Sequence, residues 1–430
     1  MTSNYAQALW TFCDRIKGIV GYYNFYSRTI KLLFIKYLLT YSDQLDIKDI
    51  QSYKTISEFK RKYDEAKNGV SVIDKEDVAG LLDSVGFLKK DSNVRLANLA
   101  DDLNFFYDPK TQKDVIGLLD SFVLKNEKEI IRDVIDYLLY SSNNDVSKTG
   151  SFITGKALRR ICMGLLGVKS DDVYMDCYAG FSSSLTEIKE LNRYKYIGYE
   201  INSEAALIST ITCVMLGVPE FEINNDDFLF AETDGRADKV LSDVIFGYKR
   251  EYPDLAKKYG VTTKDVDVLS FYKAFYSARK DGSVVLAVPG KFLFSTAKAY
   301  VELRNRITKQ GLRAVISLPP LWQGTSIGTN LIYIDKSYQG DIEFVNATNM
   351  KFGDKRESFE IFNTGNIISA VKEQWITEGE DNCVDIDTVL ALGTWLPDRY
   401  VNTEKKNNYR PVSEIDEELS VLYAQLKENM

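Results

Sequence analysis

Between residues 172 and 336, short β-branched or apolar runs alternate with segments of helical periodicity: DVYMDCY, YKYIGYEI, FEINND, DKVLSDVIF, SVVLAVPG, LRAVISLP and NLIYIDK. This alternation is the strongest constraint on the fold. Strands separated by helices pair side by side into a doubly wound, mostly parallel sheet covered by helices on both faces, an α/β architecture. Such sheets take ligands at the carboxyl ends of their strands, beside the point where strand order reverses. The residues that end these runs are therefore the first candidates for function.

The flanking segments have a different texture. The first 146 residues read as a helical domain: ALWTFCDRIKGIVGYYNFYSRTIKLLFIKYLLTYSD carries Leu33, Tyr37 and Leu38 at helical spacings, and VRLANLADDLNFF and VIGLLDSFVLKNEKEIIRDVIDYLLYS continue the style. On pattern alone this is a small helical bundle with no chemistry. The polar stretch SSNNDVSKTGS separates it from the α/β region, which we take as residues 147–362. Residues 363–430 form a less regular C-terminal extension ending in an amphipathic helix, SEIDEELSVLYAQLKEN. A chain of 430 residues has room for such a division, since domains usually run to about 100–200 residues.

Composition narrows the chemistry. Histidine is absent, which excludes Ser-His and Cys-His dyads, histidine general bases and His-containing zinc sites. The five cysteines are scattered without a Cys-x-x-Cys pair, so neither a disulfide framework nor a metal site is indicated. The start, MTSNYAQALWTFCDRI, has no basic region followed by an apolar stretch, and no run is long enough to span a bilayer, so a cytoplasmic location is expected. A net charge of −8 argues against a surface that clamps nucleic acid over its whole face. Any such contact must come from local basic patches or from a partner.

The first strand runs into Asp176-Cys177-Tyr178-Ala179-Gly180-Phe181-Ser182. An acid at a strand end, followed by a tight small-residue turn, lets backbone amides approach a cofactor while the carboxylate answers a cationic group. The next strand ends in Glu200, a spacing that fits one βαβ unit and puts an acid where both hydroxyls of a ribose can bond to it. A third strand ends in Asn225-Asp226-Asp227-Phe228, with an acid placed for an adenine amino group. These acids could instead be helix caps. Dinucleotide binding is a rival reading, but the Gly-x-Gly-x-x-Gly fingerprint is missing.

The order Asp176 to Gly180, Glu200, Asp227 and then Leu241-Ser242-Asp243-Val244-Ile245-Phe246-Gly247 resembles the modification subunit of type I restriction-modification systems, a DNA adenine-N6 methyltransferase. That family usually has Leu-Ser-Asn-Pro-Pro-Phe-Gly in the last stretch. The likeness extends from Leu9-Trp10 and LLFIKYL, through Gly150-Ser151-Phe152-Ile153-Thr154-Gly155, to LPDRYV and the terminal helix. It implies a Rossmann-like methyltransferase sheet, S-adenosylmethionine as cofactor, and DNA as substrate. A separate specificity subunit and a second modification subunit are the implied partners. Carried over residue by residue, the cofactor pocket is Phe152, Thr154, Asp176, Gly180, Glu200 and Asp227. Asp243 and the Val244 carbonyl accept the two amino hydrogens of the target adenine, and Phe246 stacks on the base once it leaves the duplex. Lys249, Arg250, Lys257 and Lys258, which follow this loop, are the expected phosphate contacts; a charge run of this kind is also commonly a solvated surface.

Three departures bear on activity. Val244 and Ile245 replace both prolines, so the loop loses two fixed φ angles and gains an N–H at each position. Ser182 stands at the usual second glycine of the cofactor turn, where a Cβ either crowds the methionine part of the cofactor or demands a strained backbone. Cys177 replaces a frequent proline. The sequence leaves open an active enzyme or a catalytically silent subunit that binds DNA or partners. A small-molecule methyltransferase is a third reading, in which the helical N-terminal region has no obvious use.

Overall fold

The structure, a computed structural model, describes residues 3–20, 25–44, 50–84, 103–125, 127–141, 154–189, 192–243, 247–321, 328–352, 363–373 and 381–401. Among the sequence expectations, Phe152, Val244, Phe246 and the terminal helix lie outside the described residues.

A sheet organises the chain. Its strands are β1 (Val173–Asp176), β2 (Lys195–Tyr199), β3 (Glu220–Asn224), β4 (Ala237–Asp243), β5 (Ala278–Val288), β6 (Leu312–Leu318), β7 (Thr329–Asp335), β8 (Ile342–Asn346) and β9 (Asp381–Val384). They lie side by side in the order β3-β2-β1-β4-β5-β7-β6-β8-β9. β1 to β5 are mutually parallel, β7 runs antiparallel to β5 and β6, and β9 antiparallel to β8. Strand order reverses between β1 and β4, so their carboxyl ends, Asp176 and Asp243, flank the crevice where such sheets take ligands.

Strand period two separates two cores. Tyr174, Tyr196, Leu241 and Val285 face one side, while Met175, Ile197, Val240 and Val284 face the other. The first side is covered by the helix Lys156–Leu166, which sets Leu158, Ile161 and Leu165 against the strands, and by the N-terminal helices, whose Leu9, Leu33 and Ile135 belong to the same core. Helices Val266–Ser277 and Lys298–Thr308 cover the second side through Val268, Phe271 and Leu303. Residues beyond 363 also join the sheet and its cores: β9 pairs with β8, and the fully buried Trp395 donates from its indole nitrogen to Thr308 Oγ1 at 3.0 Å. Among the described residues no helix is long and apolar enough to cross a membrane.

One local expectation is corrected. The β1 to β2 connection contains a 3-10 turn, Ser183–Glu187, among its described residues rather than the helix of a βαβ unit. That flank of the sheet is already covered: Tyr26 of the helix Phe25–Tyr41 stacks on Phe181 at 4.8 Å, and Asp136 of the helix Lys128–Ser141 accepts a hydrogen bond from Thr186. A crossover helix would compete for space that the N-terminal helices fill.

Candidate active site

The turn after β1 closes on the end of β2. Gly180 adopts φ 52°, and its amide donates to Glu200 Oε2 at 3.0 Å. A Cβ there would meet open space, so backbone angle and not crowding is what calls for glycine. Glu200 Oε1 accepts from the amide of Asn202 at 2.7 Å, and burial pushes this carboxyl above its usual range. Ser182 takes the strained alternative, with φ 54° and full burial. Its hydroxyl is turned into the core, bonded to Tyr196 Oη at 2.7 Å and to Ser209 Oγ. These bonds offset a left-handed backbone that costs about 1–2 kcal/mol for a residue with a Cβ.

Beyond the turn lies a cavity of about 300 Å³, lined in part by Tyr178, Glu200, Asp226, Asp227, Tyr248, Arg250 and Tyr252. Asp227 Oδ1 accepts from the Leu229 amide at 2.9 Å, and its Oδ2 from the Tyr252 hydroxyl at 3.3 Å. The Tyr252 ring is packed against Phe230 at 5.3 Å and carries the Arg250 guanidinium at 5.2 Å. The far wall arises because residues 248–250 run antiparallel to 264–266: the Val266 amide donates to the Tyr248 carbonyl and the Arg250 amide to that of Lys264. Extended backbone sends alternate side chains the same way. Tyr248, Arg250 and Tyr252 thus line the cavity, while Lys249 reaches Asp265 at 3.9 Å.

This wall was not read from the sequence, although the alternation Tyr-x-Arg-x-Tyr was its available signal. Of the four expected phosphate contacts, Arg250 stands on the cavity wall, and Lys258 pairs with Asp234 at 2.9 Å. Lys257 is exposed on the helix Pro253–Tyr259. The structure therefore does not present the four as one uncompensated basic patch.

A second group of predicted residues meets at the ends of β1 and β4. Asp176 is buried and its Oδ2 accepts from Ser184 Oγ at 3.0 Å and Tyr174 Oη at 3.5 Å. Burial, and then the negative charge of Asp243, push its carboxyl up to about 7. Asp243 Oδ2 accepts from Thr154 Oγ1 at 2.7 Å. Thr154, expected on the cofactor, is thus bonded to the acid at the end of β4. Two carboxylates in one crevice can answer a cation or accept amino hydrogens. Glu200 and Asp227, on the wall of the cavity that Cys177 and Tyr178 also line, suit the hydroxyls and amino group of a nucleoside. The donor set therefore fits an adenosine carrying a cationic side chain.

The sequence profile of a family described as N-6 DNA Methylase matches residues 126–408, well over half of the chain. No curated protein matches in sequence. Among solved structures, the methyltransferase subunit of the type I restriction-modification system from Streptococcus thermophilus superposes with a TM-score of 0.74 at 16% identity, covering 93% of this chain and 99% of that one. A modification subunit of a putative type I restriction enzyme from Vibrio vulnificus YJ016 gives 0.64 at 14% identity, covering 94% and 97%. At such identities the likeness is one of fold, and it spans the N-terminal helices as well as the sheet.

Proposed function

The chain belongs to the N-6 DNA methylase family, and from that premise we propose that it is a type I modification subunit that methylates N6 of adenine in DNA. S-adenosylmethionine, the cofactor of this chemistry, supplies the methyl group as part of a sulfonium cation. Glu200 would accept from the ribose hydroxyls of the cofactor, Asp227 from its adenine amino group, and Asp176 would answer its cationic end. The observation that carries the reading is the Asp243 carboxylate, held by Thr154 at the carboxyl end of β4 beside Asp176. An adenine amino nitrogen is a weak nucleophile because its lone pair is delocalised into the ring. Asp243 Oδ and the Val244 carbonyl accept its two hydrogens and aim it, while Phe246 stacks on the extruded base. Sequence recognition belongs to a separate specificity subunit, consistent with the net negative charge.

The replaced prolines favour a second reading, a silent methyltransferase-fold subunit that binds DNA or partners. Exchanging Val244 and Ile245 together for proline tests between them, because it restores loop rigidity without adding a reactive group. We expect transfer to DNA to rise, by up to about a hundredfold if the loss of the two prolines misplaces the acceptors by about 1 Å. A folded, cofactor-binding double variant that stays inert beside its partner subunit supports the silent reading. Phe246→Ala should weaken DNA substrate engagement by about 1–3 kcal/mol, read as a raised KM for DNA; an unchanged KM removes the stacking role.

The buried acid predicts a pH dependence. With its carboxyl at about 7 in place of 3.8, Asp176 keeps a proton in the unliganded fold across that interval. Its contribution to stability is full below 3.8 and is lost as the pH rises through about 7. Asp176 gives that proton up when a cation sits beside it, so calorimetry should show cofactor affinity rising by up to about tenfold per pH unit below 7 and levelling above. Asp176→Asn should flatten the slope. An unmodified chain with a flat profile between pH 5 and 8 would contradict the assignment.

A further inference from the structure

We infer that Arg159 and Asp136 are positioning residues that hold Thr154 against Asp243, so that the N-terminal helices set the geometry of the catalytic edge. The inference rests on the reading of Asp243 as acceptor for the target amino group. Arg159, on the helix Lys156–Leu166, and Asp136, on the helix Lys128–Ser141, have side chains only 3% and 6% exposed and are paired through Arg159 Nη2 and Asp136 Oδ1. The other guanidinium nitrogen, Nη1, donates to the Thr154 carbonyl at 2.8 Å, and the Thr154 hydroxyl donates to Asp243 Oδ2 at 2.7 Å. An unbroken chain of polar contacts thus runs from an N-terminal helix to the end of β4. Asp136 is anchored in turn by Lys156 Nζ at 2.9 Å and Thr186 Oγ1 at 3.2 Å.

Stability alone is a poor explanation for this pair. A buried ion pair loses in desolvation much of what it gains in attraction, and apolar side chains of the same volume commonly serve as well. What they lack is the guanidinium fork, whose donors leave in fixed directions and can grip a carboxylate and a carbonyl together. The grip matters because Thr154 is partly exposed and its hydroxyl is otherwise free to turn to water. The next residue also packs closely: a Cβ on Gly155 would lie 2.1 Å from the Leu321 carbonyl oxygen. With its carbonyl held by Arg159 and the next residue close against Leu321, Thr154 presents its hydroxyl to Asp243, and the carboxylate is aimed before DNA arrives.

The test compares Arg159→Met, Arg159→Lys and Thr154→Val with the unmodified full chain, each beside its specificity subunit. Cofactor affinity is read by calorimetry and methyl transfer by single turnover. Arg159→Met and Thr154→Val should each lower the rate by about a hundredfold, and in Arg159→Met cofactor affinity should be altered far less, the split expected of a group that acts only on the transition state. Arg159→Lys, which keeps the charge but lacks the rigid planar fork, should fall between. An unmodified rate in Arg159→Met overturns the inference, as does an unmodified rate in Thr154→Val where Arg159→Met fails to fold. If the unmodified chain itself transfers no methyl group, the proposed function fails on its own account, and a crystal structure of Arg159→Met, or of Arg159→Lys should Met not fold, decides the positioning. A Thr154 hydroxyl parted from Asp243 supports it, and one still bonded there overturns it.

Discussion

Asp243→Ala should lower the single-turnover rate of methyl transfer by about 10²–10³, the usual loss on deleting one preorganised hydrogen-bonding group. Cofactor affinity should change far less at pH 7, because the ribose and adenine acceptors, Glu200 and Asp227, are untouched and Asp176 still faces the crevice. That charge is one cause of the raised Asp176 carboxyl, so its removal should also move the midpoint of the affinity profile to lower pH. Asp243→Asn separates the two roles, since a carboxamide oxygen can still accept the amino hydrogen while the charge is gone. It should keep most of the rate and show the same shift in the binding profile. Equal rates in Asp243→Ala and the unmodified chain would remove the proposed mechanism.

Glu200→Ala should cost S-adenosylmethionine about 1.5–3 kcal/mol of binding free energy, roughly a ten- to hundredfold weaker Kd by calorimetry. Two effects combine. The ribose hydroxyls lose a charged acceptor, and the amides of Gly180 and Asn202, both bonded to that carboxylate, lose theirs. The turn that approaches the cofactor is therefore loosened by the same change. Glu200→Gln keeps an acceptor oxygen and should lose less. A Glu200→Ala protein with undiminished affinity would move the ribose elsewhere.

The strands β1 to β7 were legible because each is a run of β-branched or apolar residues bounded by turns, and an acid closing such a run marks the binding edge. β8 and β9 were not. DIEFVN is short and charged at one end, and DNCV gains strand structure only by pairing with β8 at the sheet margin. The β1 to β2 connection was misjudged because covering one flank of a sheet is a tertiary matter: the N-terminal helices meet the turn at Phe181, Thr186 and, through Arg132, the Ile188 carbonyl. The same limit hid the bond between Thr154 and Asp243, residues separated by 89 positions. Arg250 looked like one member of a basic run because its neighbours in sequence are charged. Its placement follows from backbone pairing with residues 264–266, which composition does not announce.

The most direct test of the account is methyl transfer itself. The full chain, with any co-encoded specificity subunit, is incubated with DNA and isotopically labelled S-adenosylmethionine, and the DNA is digested to nucleosides. The account predicts label in N6-methyl-2′-deoxyadenosine, strongly reduced on Asp243→Ala and mostly retained on Asp243→Asn. Label confined to another base, or no label from a chain that binds both cofactor and specificity subunit, would contradict it.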